Sequence, residues 1–165
     1  MRKMLVFTLL AGLLLSTASW AEAGTLAAGL SLNSLYNIGG TPGTYCLGGQ
    51  LKIGVTDNID LDGRAYFGDS AGPGLVTGLG IFHFDIGSEY FDPYVGIGVS
   101  YIDVYTDSLT DLTRGQKYFG WVGSLGLNCL LLGTRLPLFI EMQFASYGGK
   151  PWLSGTAVGV SYVFR

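Results

Sequence analysis

Between Pro93 and Tyr101 the chain reads Pro-Tyr-Val-Gly-Ile-Gly-Val-Ser-Tyr, and this alternation constrains the fold more than any other stretch. The odd positions Val95, Ile97, Val99 and Tyr101 are apolar, while the even ones, Tyr94, Gly96, Gly98 and Ser100, are mostly small. Side chains on a strand point alternately to opposite faces, so one face is greasy and the other nearly bare. A soluble antiparallel sheet puts charged or long polar residues on its second face. Here the greasy face suits lipid, and the small one suits the inner wall of a closed barrel.

Composition supports that choice. Only 13% of the 165 residues are charged, 48% are hydrophobic and 27 are glycine, an unusual balance for a soluble globule of this size. Beyond the first fifteen residues no apolar run is long enough for a membrane-spanning helix. Many short alternating segments in such a chain predict a transmembrane β-barrel. Met1-Arg2-Lys3 is basic, Met4 to Leu15 is apolar, and Ala21-Glu22-Ala23 is an A-x-A cleavage site, so residues 1–23 are read as a signal peptide. Residues 24–165 then form one barrel domain. Without Arg2, Lys3 and Glu22, seven basic and eleven acidic side chains remain. That leaves no basic patch for nucleic acid.

Eight strands are expected, an even number with both termini on one side. The first, Thr25–Tyr36, sets Leu26, Ala28, Leu30 and Leu32 outward against Ala27, Gly29, Ser31 and Asn33. Tyr45–Val55 turns Tyr45, Leu47, Leu51, Ile53 and Val55 outward and Cys46, Gly48, Gln50 and Lys52 inward. Ile59–Gly68 sends Asp60, Asp62, Arg64 and Tyr66 inward. In Leu75–His83, Leu75, Thr77, Leu79 and Ile81 are read as outward. The strand at Pro93–Tyr101 is fifth and Phe119–Leu131 sixth, the latter with Val122, Ser124, Gly126 and Asn128 inward. Leu136 to Ala145 is seventh, with Phe139, Glu141 and Gln143 inward, and the last strand ends at Val158–Phe164. Thr106–Gln116 is the longest connection.

The expected outward face has no charge at any strand centre, where one would cost roughly 2–4 kcal/mol in a bilayer. The inward face carries a polar network of Lys52, Asp60, Asp62, Arg64 and Glu141. A three-residue turn at Thr56–Asn58 would pair Val55 with Ile59, placing Lys52 opposite Asp62 and Gln50 opposite Arg64, with Glu141 reaching Arg64 across the lumen. Inward Gly29, Gly48, Gly78, Gly80, Gly96, Gly98 and Gly159 are expected to leave room for at most a narrow pore. Tyr36, Tyr45, Phe67, Tyr101, Trp121, Phe144 and Trp152, together with Leu75, fall at one rim; the aromatic ones form a girdle where lipid tails meet headgroups.

Pro93–Tyr101, Phe139-Ile140-Glu141-Met142-Gln143-Phe144 and Val158–Phe164 together resemble the small outer-membrane β-barrels of Gram-negative bacteria, similar to the transmembrane domain of outer-membrane protein A. The resemblance implies an eight-stranded up-and-down barrel, exported through the periplasm into the outer membrane. It implies that Tyr162 and Phe164 form the terminal signal read by the barrel-assembly machinery, although Arg165 follows the aromatic residue that usually ends the family. The expected partners are outer-membrane lipids, lipopolysaccharide, the assembly machinery and periplasmic chaperones, with the barrel a monomer. A structural or surface-interaction role follows, with a lipid A-modifying acyltransferase or deacylase as alternative and a soluble lipocalin-like carrier behind it.

Nothing in the sequence assigns a catalytic residue, a cofactor or a metal. His83, the single histidine, is read as interfacial. It lies at the end away from the rim where lipid A-modifying relatives place a His and a Ser, and no Ser stands two residues from it. Cys46 inside one strand and Cys129 outside another are expected to remain thiols, since a disulfide needs Cα atoms within about 7 Å.

Overall fold

A computed structural model of the protein describes residues 23–37, 44–68, 74–103, 117–130, 137–147 and 153–164. Residues 1–22 of the expected signal peptide, Trp152, and most of the expected loops, including Thr106–Gln116, lie outside the described residues. Among the described residues there are eight strands: β1 (Leu26–Asn37), β2 (Thr44–Thr56), β3 (Ile59–Gly68), β4 (Gly74–His83), β5 (Phe91–Asp103), β6 (Lys117–Leu130), β7 (Pro137–Tyr147) and β8 (Leu153–Phe164). Each pairs antiparallel with its sequence neighbours, and β8 returns to β1, closing an up-and-down barrel.

The register defines the barrel's proportions. Following paired residues once around the wall from Leu26 leads through Ile53, Leu61, Gly80, Ile97, Gly123, Phe144 and Ser154 to Tyr36, ten residues further along β1. With about 3.3 Å per residue and about 4.8 Å between strands, this stagger tilts the strands by roughly 40°. A ten-residue strand such as β3 then rises roughly 25 Å along the axis, the height of the apolar band of a membrane barrel.

That band is present. Leu30, Leu32, Leu47, Leu61, Ile97, Leu125, Ile140 and Val158 all face outward, Ile97 with 73% of its surface open. The inner wall holds the charges: Asp60, Asp62, Arg64 and Glu141 are each at most 2% exposed. Tyr45, Phe67 and Trp121 are exposed at the loop end of the barrel, and Tyr101 and Phe144 are half-buried there. A second belt circles the terminal end: Phe82, Phe84, Phe91 and Phe164 are exposed, Phe82 meets Phe84 edge-on at 5.2 Å, and Tyr162 meets Phe164 at 4.8 Å.

Three expectations are corrected. In β4 the faces are reversed: Leu75, Thr77, Leu79 and Ile81 point inward and Val76 and Phe82 outward. Both faces of β4 are apolar enough to be lipid-facing, so hydrophobicity does not choose between them; register does. Thr77 pairs with inward Arg64 on one side and inward Ser100 on the other, and directly paired residues share a face. Between β2 and β3 the turn has two residues, Asp57 and Asn58, and Val55 is bulged between the pairs Gly54–Asp60 and Thr56–Ile59. The bulge restores the residue that the shorter turn removes, so Lys52 still lies opposite Asp62 and Gln50 opposite Arg64.

The third correction concerns the glycines. Gly78 and Gly80 lie on the outer face with their β4 neighbours. At Gly48, Gly126 and Gly159 an added Cβ would meet the rings of Tyr66, Tyr94 and Phe139 at 2.1–2.6 Å. These glycines therefore seat aromatic rings rather than leaving open space. Gly98 sits tightest, with the Gly78 carbonyl oxygen 1.9 Å from where its Cβ would stand.

Two outcomes follow. Ile97→Arg should abolish most folded barrel in lipid vesicles, at a cost of about 2–4 kcal/mol, while Ile97→Val folds normally. Comparable folded yields on gel mobility would mean that this face does not meet lipid. Gly98→Ala should lower the unfolding free energy by about 1–3 kcal/mol in urea titrations, whereas Gly49→Ala, with open space around it, should not.

Candidate functional site

The polar core is built from three strands. Alternation on β3 delivers Asp60, Asp62 and Arg64 to the same inner face in succession. Arg64 donates from Nε and Nη2 to Asp62 Oδ2 at 2.9 and 2.8 Å, and from Nη2 to Glu141 Oε2 at 2.9 Å, with a second bond from Nη1 to Glu141 Oε1. The fork of a guanidinium matches a carboxylate in this two-bond geometry. Glu141, on β7, also accepts from the Tyr94 hydroxyl at 2.7 Å and from Gln143 Nε2 at 2.6 Å. Gln143 Nε2 donates in turn to the Tyr66 hydroxyl at 2.9 Å. The cluster thus braces β3, β5 and β7 across the lumen. The side chains of Arg64, Asp62 and Glu141 are fully buried, and removing one partner from such a set typically costs 3–5 kcal/mol.

Lys52 differs from its expected role. It lies opposite Asp62 in register, yet Asp62 is engaged by Arg64, and the Lys52 ammonium stands over the Tyr94 and Phe139 rings at 5.2 and 5.9 Å. An ammonium in a low-dielectric lumen gains from the negative face of an aromatic ring. The expected approach of Glu141 to Arg64 is present.

A second cluster closes the terminal end of the lumen. His83, expected as an interfacial residue, is instead buried, with Nδ1 2.7 Å from Asp92 Oδ2 and Nε2 2.9 Å from Asp60 Oδ2. Two carboxylates accept only if both ring nitrogens donate, so the geometry is that of an imidazolium. Asn128 Nδ2 donates to the same Asp92 oxygen at 2.8 Å, which links β3, β4, β5 and β6. His83 and Asp92 also line a cavity of about 180 Å³ with Asp57, Phe84 and Phe91. Among the described residues no group of His, Cys, Asp and Glu side chains has the arrangement of a metal site. Neither cysteine forms a disulfide: Cys46 is buried inside the wall and Cys129 is half-buried on the outside.

Toward the loop end the lumen becomes apolar, with Cys46, Leu75, Ile102, Val122 and Ala145 buried together. Among the described residues, nine buried side-chain nitrogen and oxygen atoms have no hydrogen-bond partner: Ser31 Oγ, Asn33 Oδ1, both Gln50 side-chain atoms, Asp60 Oδ1, Asp62 Oδ1, Thr77 Oγ1, Ser100 Oγ and Ser124 Oγ. Left dry, each would cost about 1–3 kcal/mol. Together that rivals or exceeds the whole stability of a typical domain, about 5–15 kcal/mol. These atoms are the least satisfied part of the buried polar wall.

Of the expected network, Asp62, Arg64 and Glu141 come together, Asp60 belongs to the His83 cluster, and Lys52 stands between the two over aromatic rings. Sequence reasoning missed Tyr66, Tyr94 and Gln143 as hydrogen-bond partners and Asp92 and Asn128 as partners of the histidine cluster. Their signal was available: all are polar residues at inward positions of alternating strands. The side chain of Tyr36, like Trp152, is outside what the structure describes.

No protein-family profile matches the chain, and no curated protein does. Solved structures do. The N-terminal β-barrel domain of Pseudomonas aeruginosa OprF is 16% identical with a TM-score of 0.58, covering 82% of this chain and 97% of its own. A de novo designed transmembrane β-barrel is 20% identical with a TM-score of 0.59, covering 88% and 100%. The outer membrane enzyme PagL is 10% identical with a TM-score of 0.51, covering 81% and 98%. A natural domain, a design and an enzyme share this architecture, so the likeness speaks to fold alone. The chain has the fold of the small eight-stranded outer-membrane β-barrels.

Proposed function

We propose that the protein is an integral barrel of the Gram-negative outer membrane with a structural or surface-interaction role, and with at most a narrow pore. The observation that carries this reading is the buried Arg64–Asp62–Glu141 cluster, tied by Tyr94, Gln143 and Tyr66 from one wall of the lumen to the other. A wide channel would leave these groups lining water; here they cross-brace the interior. The apolar outer wall supports insertion into lipid, and the terminal end, with its two-residue turn at Asp57 and Asn58, corresponds to the periplasmic side of such barrels. Outer-membrane lipids and lipopolysaccharide are then its surroundings, Tyr162 and Phe164 its signal to the assembly machinery, and a monomer its form.

An enzymatic role in modifying lipid A is the other reading, prompted by the fold shared with PagL. The histidine argues against it. Both nitrogens of His83 are occupied by carboxylates, so the ring has no free lone pair with which to activate a nucleophile. Ser88, which lines the same cavity as His83, accepts from the backbone N–H groups of Tyr90 and Phe91.

Glu141→Gln tests the bracing role. It leaves the Arg64 charge short of a partner, and should lower the unfolding free energy by about 3 kcal/mol and raise single-channel conductance in planar bilayers. Unchanged stability and unchanged traces together would remove the support for a braced, nearly closed lumen. Deacylation or acyl transfer on radiolabelled lipopolysaccharide by the wild-type barrel would favour the enzymatic reading.

A further inference from the structure

We propose that His83 is a proton-dependent staple at the base of the β4–β5 connection, locked while its ring is an imidazolium and released on the β5 side when the ring is neutral. His83 ends β4 and Asp92 is the second residue of β5, so the 2.7 Å contact from Nδ1 to Asp92 Oδ2 spans the foot of the turn between them. Nε2 reaches the other way, to Asp60 Oδ2 on β3 at 2.9 Å. Both nitrogens donate only when the ring carries two protons.

Removing one proton leaves a single N–H for two carboxylates, and the surroundings decide which of them keeps it. Asp60 is 2% exposed and its Oδ1 has no hydrogen-bond partner, so parting from the ring would strand a buried charge. Asp92 is better placed. Asn128 Nδ2 donates to its Oδ2 at 2.8 Å, and Asp92 lines the cavity of about 180 Å³, whose wall includes the exposed residues Asp57, Asn58, Asp85 and Ile86. The remaining proton therefore stays on Nε2, facing Asp60, and an Nδ1 lone pair is left facing Asp92. The lone pair and the carboxylate repel, Asp92 turns toward the open cavity, and the staple releases. The cavity also gives solvent access to the ring, whose side chain is 10% exposed, whereas those of Arg64 and Glu141 are fully buried.

The neighbouring groups offer the two carboxylates no ready substitute for the ring. On β3, Asp62 lies beyond Asp60 and is held by Arg64. On β5, the Tyr94 ring is 5.8 Å from the imidazole and its hydroxyl donates to Glu141. From β2 the Lys52 ammonium stands over that Tyr94 ring at 5.2 Å, and β6 contributes the uncharged Asn128. The turns contribute Asp57 and Asp85, the latter accepting from the Gly87 backbone N–H at 2.8 Å. Phe84, Asp85, Ile86 and Ser88 of the stapled turn all line the cavity, so release reshapes it. Proton binding and stability are linked: the protonated ring makes two charge-assisted bonds and the neutral ring one, so the barrel loses stability as pH rises through the ring's titration.

The sequence has one histidine, so 15N-labelled histidine in the refolded full barrel reports this ring alone. In lipid nanodiscs at neutral pH both ring nitrogens should carry hydrogens. On raising the pH, Nδ1 should lose its hydrogen while Nε2 keeps it, and the 13C resonances of residues 84–90 should shift with the same midpoint. The urea midpoint of unfolding should fall over the same range. Asp92→Asn should flatten that fall, since an amide can accept from the charged ring or donate to the neutral one, and His83→Gln should flatten it because the side chain no longer titrates. A ring already neutral at neutral pH, or one whose Nε2 is the nitrogen that loses its hydrogen, overturns the proposal. So does a folded Asp92→Asn or His83→Gln barrel that keeps the wild-type pH dependence. The nitrogen spectra use the wild-type chain and do not depend on either variant folding.

Discussion

In hydrocarbon no backbone N–H or C=O can fall back on water, and that constraint governs the rest of this molecule. A sheet meets it only by closing, and here β8 returns to β1 through a long antiparallel ladder from Leu26–Phe164 to Asn37–Leu153. Closure over eight strands with a ten-residue stagger makes a barrel whose interior is about as wide as the side chains that fill it. The outer wall is then free to be apolar, and every polar function is forced inside. Arg64, Asp62 and Glu141 share the lumen because the outer wall has no place for them.

Filling so narrow an interior calls for pairing large residues with absent ones. Tyr66, Tyr94 and Phe139 each lie against an inward glycine, Gly48, Gly126 and Gly159 respectively. The rings in turn present hydroxyls to the charged cluster from Tyr66 and Tyr94, and a π-face to Lys52 from Tyr94 and Phe139. Glycine content, which reads as emptiness in the sequence, thus becomes close packing in the barrel. The same narrowness explains why charged groups are satisfied chiefly by one another.

The two polar clusters divide the lumen. Arg64 with its carboxylates crosses the middle, and His83 with Asp60 and Asp92 closes the terminal end beside the small cavity. Apolar side chains dominate toward the loop end. Function on this fold resides in such arrangements and in the loops, not in the barrel wall, since an enzyme and a designed protein share the wall with this chain.

The alternating pattern by itself determined the strand count, the closed architecture and the facing of seven strands, because side-chain direction on a strand has period two and lipid tolerates no charge on one face. It also placed Lys52 opposite Asp62 and Arg64 within reach of Glu141. It did not determine the facing of β4, where Leu75, Leu79 and Ile81 are as apolar as Val76 and Phe82, and only pairing with Arg64 and Ser100 decides which set is inside. Nor did it foresee that Asp62 binds Arg64 rather than Lys52, or that His83 sits between carboxylates contributed by β3 and β5. Those choices depend on which side chains meet across a lumen closed by residues far apart in the chain, and alternation along a single strand carries no information about them.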